Sequence, residues 1–148
     1  MKFIWNDNVS SVTYQDALHI RKQVFIAEQN VEPHLEIDDL EDKCHNVVGY
    51  IDDVPVATAR LYFNGKYAKV QRVAVMEKFR GMHFGKQLMQ EVERFAKKQH
   101  YERLVLGAQN HAILFYQKLG FSICSQEYSE ANILHHDMEK WIKEGNDL

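Results

Sequence analysis

The sequence is poor in the features that define several large protein classes. Its two cysteines, Cys44 and Cys124, stand far apart with no Cys-x-x-Cys pair, so neither a disulfide framework nor a cysteine-based zinc site is indicated. No stretch approaches the roughly 18 apolar residues of a membrane-spanning helix. The opening MKFIWNDNVSS also lacks the apolar core of a secretion signal. There is no basic excess: 18 Lys and Arg against 21 Asp and Glu give a formal net charge of −3, which argues against a general nucleic-acid binder. Internal repeats, low-complexity tracts and linkers are missing as well. What remains is the composition of an ordinary folded protein, 45% hydrophobic and 26% charged. The length suits one domain over residues 1–148 with a core that needs no staples. The cytoplasm is the expected location, and neither nucleic acid nor membrane is an expected partner.

In chain order, Lys2 to Trp5 reads as a short strand. Tyr14 to Gln29 reads as a helix, with Ala17, Leu18, Ile20, Arg21, Val24, Phe25 and Ala27 on a broad, mainly apolar face. Asn30 to Lys43 is a loop with room for a helical turn. It holds Pro33 and the carboxylates Glu32, Glu36, Asp38, Asp39, Glu41 and Asp42. Such a run is either a solvated surface or a mouth that attracts a cationic substrate. His45–Ile51 and Val56–Phe63 form two strands joined by a turn over Asp52–Pro55, and Asn64-Gly65 signals a hairpin into Tyr67. Arg103–Leu106 is a buried strand. Asn110–Lys118 is a short helix that Asn110 can cap and Gly120 stops. Phe121–Gln126 and His135–Trp141 read as closing strands.

The chemistry concentrates between Val70 and Gln99. Val70, Val73, Ala74 and Val75 suit a central strand, and Leu88, Met89, Val92, Phe95 and Ala96 recur at helical spacing on one face. Between them lie Arg80, Gly81, Met82, His83, Phe84, Gly85 and Lys86. Glycines let backbone approach a ligand, while N–H groups at a helix start and the helix dipole favour an anion. The physical reading is a phosphate cradle; the plain alternative is a bare turn. A Walker loop is excluded, because Arg80 stands where its first glycine belongs and Gln87 where its Ser or Thr belongs. A dinucleotide fingerprint needs three glycines, and only Gly81 and Gly85 are present.

This stretch resembles motif A of the GNAT superfamily of acetyl-CoA-dependent N-acetyltransferases, a valine-rich strand followed by Arg-Gly-x-Gly-x-Gly/Ala at a helix start. His83 replaces the middle glycine. Asn110 to Phe121, NHAILFYQKLGF, is similar to the Asn-to-Tyr-to-Gly-Phe segment that follows motif A. Arg21 to Gln29, the acidic loop and His45 further resemble the small bacterial ElaA/YjcF-like branch. The resemblance implies an α/β (α+β) fold with a mixed, mostly antiparallel central sheet of about six to seven strands, flanked by helices and splayed between its two central strands. It implies transfer of acetyl from acetyl-CoA to a primary amine of a small molecule (an amino acid, amino sugar or polyamine-like compound). No metal is implied. Neither cysteine is at a motif position, so transfer is expected to be direct. The rivals are a non-catalytic CoA-binding regulatory module and a peptide, protein-lysine or N-terminal acetyltransferase. A monomer or homodimer is expected, since edge strands offer a pairing surface.

Residue by residue, the resemblance assigns the cofactor to the backbone of Val73 and Val75, to the turn Arg80–Lys86 and to Asn110. The departing thiolate, whose thiol has a pKa of about 8.5, needs a proton donor, and Tyr116 sits where the family's general acid sits. An alkylammonium with pKa of about 10.4 needs a base, and a histidine is suited. His135 resembles the base of a Pro-His-x-x-Met segment, with Leu134 in place of the proline. Glu28 is the second candidate base or acceptor contact, because the first helix ends beside the acceptor site in this family. Arg60 and Arg72 either reach the cleft to hold an anionic group or are surface charges. His135 and His136 point to opposite faces of a strand and are not expected to share a metal.

Overall fold

The computed structural model describes residues 1–142. Among them an eight-stranded sheet runs, in spatial order, β1 (Lys2–Asn6), β2 (His45–Ile51), β3 (Val54–Asn64), β4 (Tyr67–Val75), β5 (Arg103–Gln109), β8 (Ile133–Trp141) and β6 (Ser122–Ile123), with β7 (Tyr128–Glu130) also paired to β8. The pairings are antiparallel except for β4 with β5. Such a sheet, flanked by helices, is the α/β architecture expected.

β1 spans Lys2–Asn6. Ser11 Oγ accepts from the Tyr14 N–H at 3.0 Å and opens α1 (Val12–Arg21) ahead of the expected start. The helix does not run on as a regular α-helix to Gln29. From Lys22 to Glu28 it widens into a π-helix, directly after Arg21 is pinned by buried carboxylates. Asn30, in the left-handed region at φ 59°, ends it, and the Val31 N–H returns to the Phe25 carbonyl at 2.8 Å. The acidic loop holds one helical turn, α2 (Pro33–Glu36), and a 3₁₀ turn over Glu41–Lys43.

β2 (His45–Ile51) and β3 (Val54–Asn64) are joined by only two residues, Asp52 and Asp53, at φ 47° and 65°. The turn is therefore shorter than expected. Asp tolerates the left-handed conformation, and Pro55 is taken into β3 beside a register shift in β2. β4 (Tyr67–Val75) leads through a 3₁₀ turn (Glu77–Phe79) into α3 (Phe84–Lys98). β5 (Arg103–Gln109) is followed by a 3₁₀ turn (Asn110–Ala112) and α4 (Ile113–Lys118), which Gly120 stops at φ 98°. The strand expected over Phe121–Gln126 contracts to β6 (Ser122–Ile123). A further strand, β7 (Tyr128–Glu130), forms a hairpin with β8 (Ile133–Trp141) through Ala131 and Asn132, both left-handed.

The sheet packs on both faces. Leu61, Val70, Leu104, Leu106 and Met138 join Leu88, Met89, Val92 and Ala96 of α3 in the larger core. Ala17, Ile20 and Val24 cover Val48 and Ala74 on the other face. Among the described residues no helix is long and apolar enough to cross a membrane.

Candidate active site

β4 and β5 are parallel neighbours only from Tyr67 opposite Arg103 to Val70 opposite Leu106. β4 continues to Val75 and β5 to Gln109, so the two diverge into a V. The cause is local. Between Thr58 and Arg60 of β3 the register with β4 shifts, leaving Arg72 and Val73 opposite Ala59. Arg72 takes the left-handed conformation, φ 57°. A bulge of this kind bends a strand and increases its twist, which turns β4 away from β5. The V opens into a cleft of about 1150 Å³.

Strand alternation gives the cleft two sides. Leu104, Leu106 and Ala108 of β5 face the α3 core, so Gly107 and Gln109 face the α1 side. Asp137 and His135, paired with those two residues, share that side, as does Tyr128, paired with His135. Tyr116 belongs to the α3-side core. The two residues expected to act as acid and base thus line one cleft from opposite faces of the sheet.

On the α3 side, Gly81 and His83 both have positive φ, 79° and 64°, and His83 precedes α3 without a side-chain cap. The N–H groups of the first helical turn have no intrahelical acceptors, so they are free to face an anion. A Cβ on Gly81 would meet nothing within 4 Å, whereas one on Gly85 would stand 3.3 Å from Phe115 Cζ. Glycine at 85 is what lets the helix start lie against Phe115. Arg80, Gly81, His83, Phe84, Gly85 and Lys86 line the cleft together with Val73 and Val75. Met82 does not; it is 53% exposed. This turn fits a pyrophosphate, and the V beside it fits an extended arm.

Arg80 is already engaged. Its guanidinium forks onto Glu28 at 2.8 and 2.9 Å, and its Nε donates to the Val75 carbonyl at 2.9 Å. Glu28 is therefore an ion-pair partner and does not line the cleft. Asn110 does not cap α4, whose N-cap is Ala112. Its amide donates to Glu127 at 2.7 Å and its Oδ1 accepts from His136 Nδ1 at 2.8 Å, and Asn110 also lies off the cleft.

Tyr116 is 7% exposed and lies edge-on to Phe115 and Phe121, with ring centroids 5.0 and 5.6 Å away. Burial pushes its phenol well above the ordinary value, so it stays protonated throughout the neutral range. His135, also 7% exposed, places Nδ1 at 2.7 Å from the Ile133 carbonyl. A carbonyl only accepts, so Nδ1 carries a proton, and in the neutral ring the lone pair then lies on Nε2. Among the described residues Nε2 has no hydrogen-bond partner.

The acidic loop is neither a bare solvated surface nor a free cation trap. Glu36 binds Arg21 at 2.6 Å and Arg72 at 3.2 Å, Asp38 binds Arg60 at 2.8 Å and Arg72 at 3.2 Å, and Glu41 binds Arg21 at 2.8 Å and Arg60 at 2.9 Å. Arg60, expected at the cleft or the surface, is fully buried. Arg72 does line the cleft, with its guanidinium committed to this network and to the Leu35 and Glu36 carbonyls. Burial opposes the Glu41 charge, but hydrogen bonds from Arg21 and the Asp38 N–H, and the Arg21 charge, hold its carboxyl down to about 2.

Two glutamines escaped the sequence reading. Gln29, next to Glu28, and Gln109, at the end of β5, exchange amide hydrogen bonds of 3.2 and 2.9 Å, and both line the cleft. His111 Nε2 lies 2.7 Å from Gln109 Oε1. Nothing in residue type or spacing singled them out. Among the described residues no group of three His, Cys, Asp or Glu side chains is placed to hold a metal.

Comparison with known proteins follows the same lines. The profile of the acetyltransferase (GNAT) domain matches residues 9–142. The uncharacterized N-acetyltransferase YjcF of Bacillus subtilis is 34% identical over 127 residues, covering 85% of this chain and 91% of its own. ElaA of Escherichia coli is 34% identical over 131 residues, 84% of this chain and 85% of that one. The crystal structure of ElaA superposes with a TM-score of 0.80 over 94% of this chain and 99% of the other, at 29% identity. A Bacillus subtilis acetyltransferase solved in complex with CoA shares the fold at a TM-score of 0.72 and 17% identity, over 95% and 97% of the two chains.

Proposed function

The chain belongs to the GNAT acetyltransferase family and is an acetyl-CoA-dependent N-acetyltransferase, and from that premise we propose that it acetylates a primary amine of a small molecule by direct transfer, with His135 as base and Tyr116 as acid. The observation that carries this is the two-sided cleft, with Tyr116 on its α3 side and His135 on its α1 side. Acetyl-CoA supplies an electrophilic thioester carbonyl. The residues that would hold it are the backbone of Val73 and Val75, the N–H groups of Gly81 to Gly85, and the Lys86 ammonium. Asn110 and Glu28 fall outside this set, since their side chains are committed elsewhere.

In the neutral ring His135 Nε2 takes the ammonium proton of the incoming amine, and the bond from Nδ1 to the Ile133 carbonyl favours the tautomer that allows it. The Tyr116 hydroxyl, protonated at working pH, gives its proton to the departing sulfur, the acylated nitrogen sheds its second proton to solvent, and water reprotonates the phenolate. The Gln29–Gln109 bridge joins two residues that line the cleft, and this supports a compact amine over a lysine carried on a folded protein. Amino acids, amino sugars and polyamines remain the acceptor classes to try, with the protein acting in the cytoplasm as a monomer or homodimer.

The test is acetyl-dependent release of thiol from acetyl-CoA across a panel of amines and a lysine-bearing peptide. A small amine should turn over best. Preference for the peptide would refute the acceptor class, and full activity in both His135→Ala and Tyr116→Phe would refute the mechanism.

A further inference from the structure

We propose that Tyr128 is a positioning residue for His135: it holds the imidazole at the angle and in the tautomer that proton removal from the amine requires. The inference rests on the reading of His135 as base. Tyr128 stands directly opposite His135 in the β7–β8 ladder, and its ring lies against the imidazole, with centroids 5.6 Å apart and planes 16° from parallel. The hydroxyl reaches past the imidazole to the next residue on that face and donates to Asp137 Oδ1 at 2.6 Å.

Asp137 is itself fixed. Its N–H donates to Ser125 Oγ at 2.8 Å, and its carbonyl accepts from the Cys124 N–H at 2.9 Å. The phenol is thus anchored at its far end on a carboxylate whose backbone is tied down on both sides. The imidazole is pinned on one edge by the Ile133 carbonyl and on one face by this ring, and its Nε2 is left free.

Gly107 provides an independent sign that the seat is built for the hydroxyl. It lies on β5 opposite Asp137, and a Cβ there would stand 2.5 Å from the Tyr128 oxygen and 3.6 Å from Asp137 Oδ1. No side chain larger than hydrogen at 107 leaves the hydroxyl where it is. Burial first, and then the hydrogen bond and charge of Asp137, push the phenol well above its ordinary value, so Tyr128 is a neutral platform at working pH. Of the titratable side chains, Asp137 shares the strand face of His135, and Glu130 on β7 and His111 after β5 line the same cleft. The hydroxyl disperses the Asp137 charge. Its removal leaves a stronger negative field beside His135, which favours the imidazolium.

The experiment is nitrogen-detected NMR of the His135 ring against pH in the full chain, for the parent protein, Tyr128→Phe, Tyr128→Leu and Gly107→Ala, with acetyl-transfer rates recorded alongside. The parent is expected to show the Nδ1–H tautomer alone above its titration midpoint. Tyr128→Phe should keep that tautomer and move the midpoint upward. Tyr128→Leu should mix the tautomers and lower kcat about tenfold with the KM for acetyl-CoA unchanged. Gly107→Ala should reproduce the midpoint shift of Tyr128→Phe with the ring still present, which keeps the test alive should the leucine variant lose the hairpin. An unchanged midpoint in both Tyr128→Phe and Gly107→Ala, or a single unmixed tautomer in a folded Tyr128→Leu, would overturn the proposal. The expected NMR pattern combined with full activity in His135→Ala would instead overturn the assignment of the base.

Discussion

The two sides of the cleft are built by opposite means. The cradle on the α3 side is contiguous in sequence, Arg80 to Lys86, and backbone conformation shapes it: two left-handed residues and a helix start. The α1 side is assembled from Arg21, Glu36, Asp38, Glu41, Arg60 and Arg72, drawn from a helix, a loop and two strands. The difference shows what each task needs. Anion binding is served by local N–H groups, whereas a wall made of a π-helix and a one-turn helix has little stability of its own and must be cross-braced. The α1 side should therefore be fragile to single substitutions in a way that the cradle is not.

Arg60→Ala should be the most damaging single change to the α1 side. It strands two carboxylates beside a buried vacancy, for a loss of about 3–5 kcal/mol and on the order of 10 °C in Tm. Scanning calorimetry decides, and a change under about 2 °C would show that the bracing is dispensable. Acid should act on the same wall. Glu41 is held at about 2 in the folded chain against an ordinary 4.5. The sign follows for a depressed carboxyl: its contribution is complete above the unfolded value and fades as pH falls from 4.5 towards 2. Screened by the solvent that Glu41 partly meets, on the order of 1–2 kcal/mol is at stake. Glu41→Gln should flatten the acid limb of a stability–pH curve, and an unaltered limb would remove Glu41 as its source.

The chemistry comes next in size. His135→Ala should lose about a hundredfold in kcat at neutral pH and recover part of it in alkali, where free amine accumulates. A loss uniform across pH would mean the histidine serves structure. The smallest effect belongs to the cradle. His83→Gly should gain about 1 kcal/mol by relieving the left-handed strain. Titration with acetyl-CoA then reports on the side chain itself: weaker binding in the glycine variant would mean that the imidazole contributes a contact.

The same contrast governs what the sequence disclosed. Alternation, the Asn64-Gly65 hairpin and the helical spacing of Leu88, Met89, Val92 and Ala96 are local patterns, and they located nearly every strand and the long helix. The turn from Arg80 to Lys86, proposed as the cradle, was legible for the same reason. The brace was not, since Arg21 and Glu36, or Arg72 and Asp38, become neighbours only when the sheet and the loop close on each other, and a carboxylate run looks alike whether solvated or paired. The bulge at Arg72 escaped because arginine gives no sign of a left-handed conformation. Asn110 misled in the other direction. It has the chemistry of a cap, but Glu127 and His136 claim it first.

Glu28 and Gln29 are neighbours in the chain, yet they grip opposite arms of the V, one through Arg80 after β4 and the other through Gln109 at the end of β5. A single peptide unit thus joins the residues that contact the two arms. An anion that drew Arg80 away from Glu28 should therefore alter the Gln29–Gln109 contact, beside which the proposed amine would arrive. Linkage makes such coupling reciprocal: the factor by which bound cofactor alters amine affinity is the factor by which bound amine alters cofactor affinity. Calorimetric titration of each ligand with and without the other measures that factor, and a value of one would mean that the tie transmits nothing.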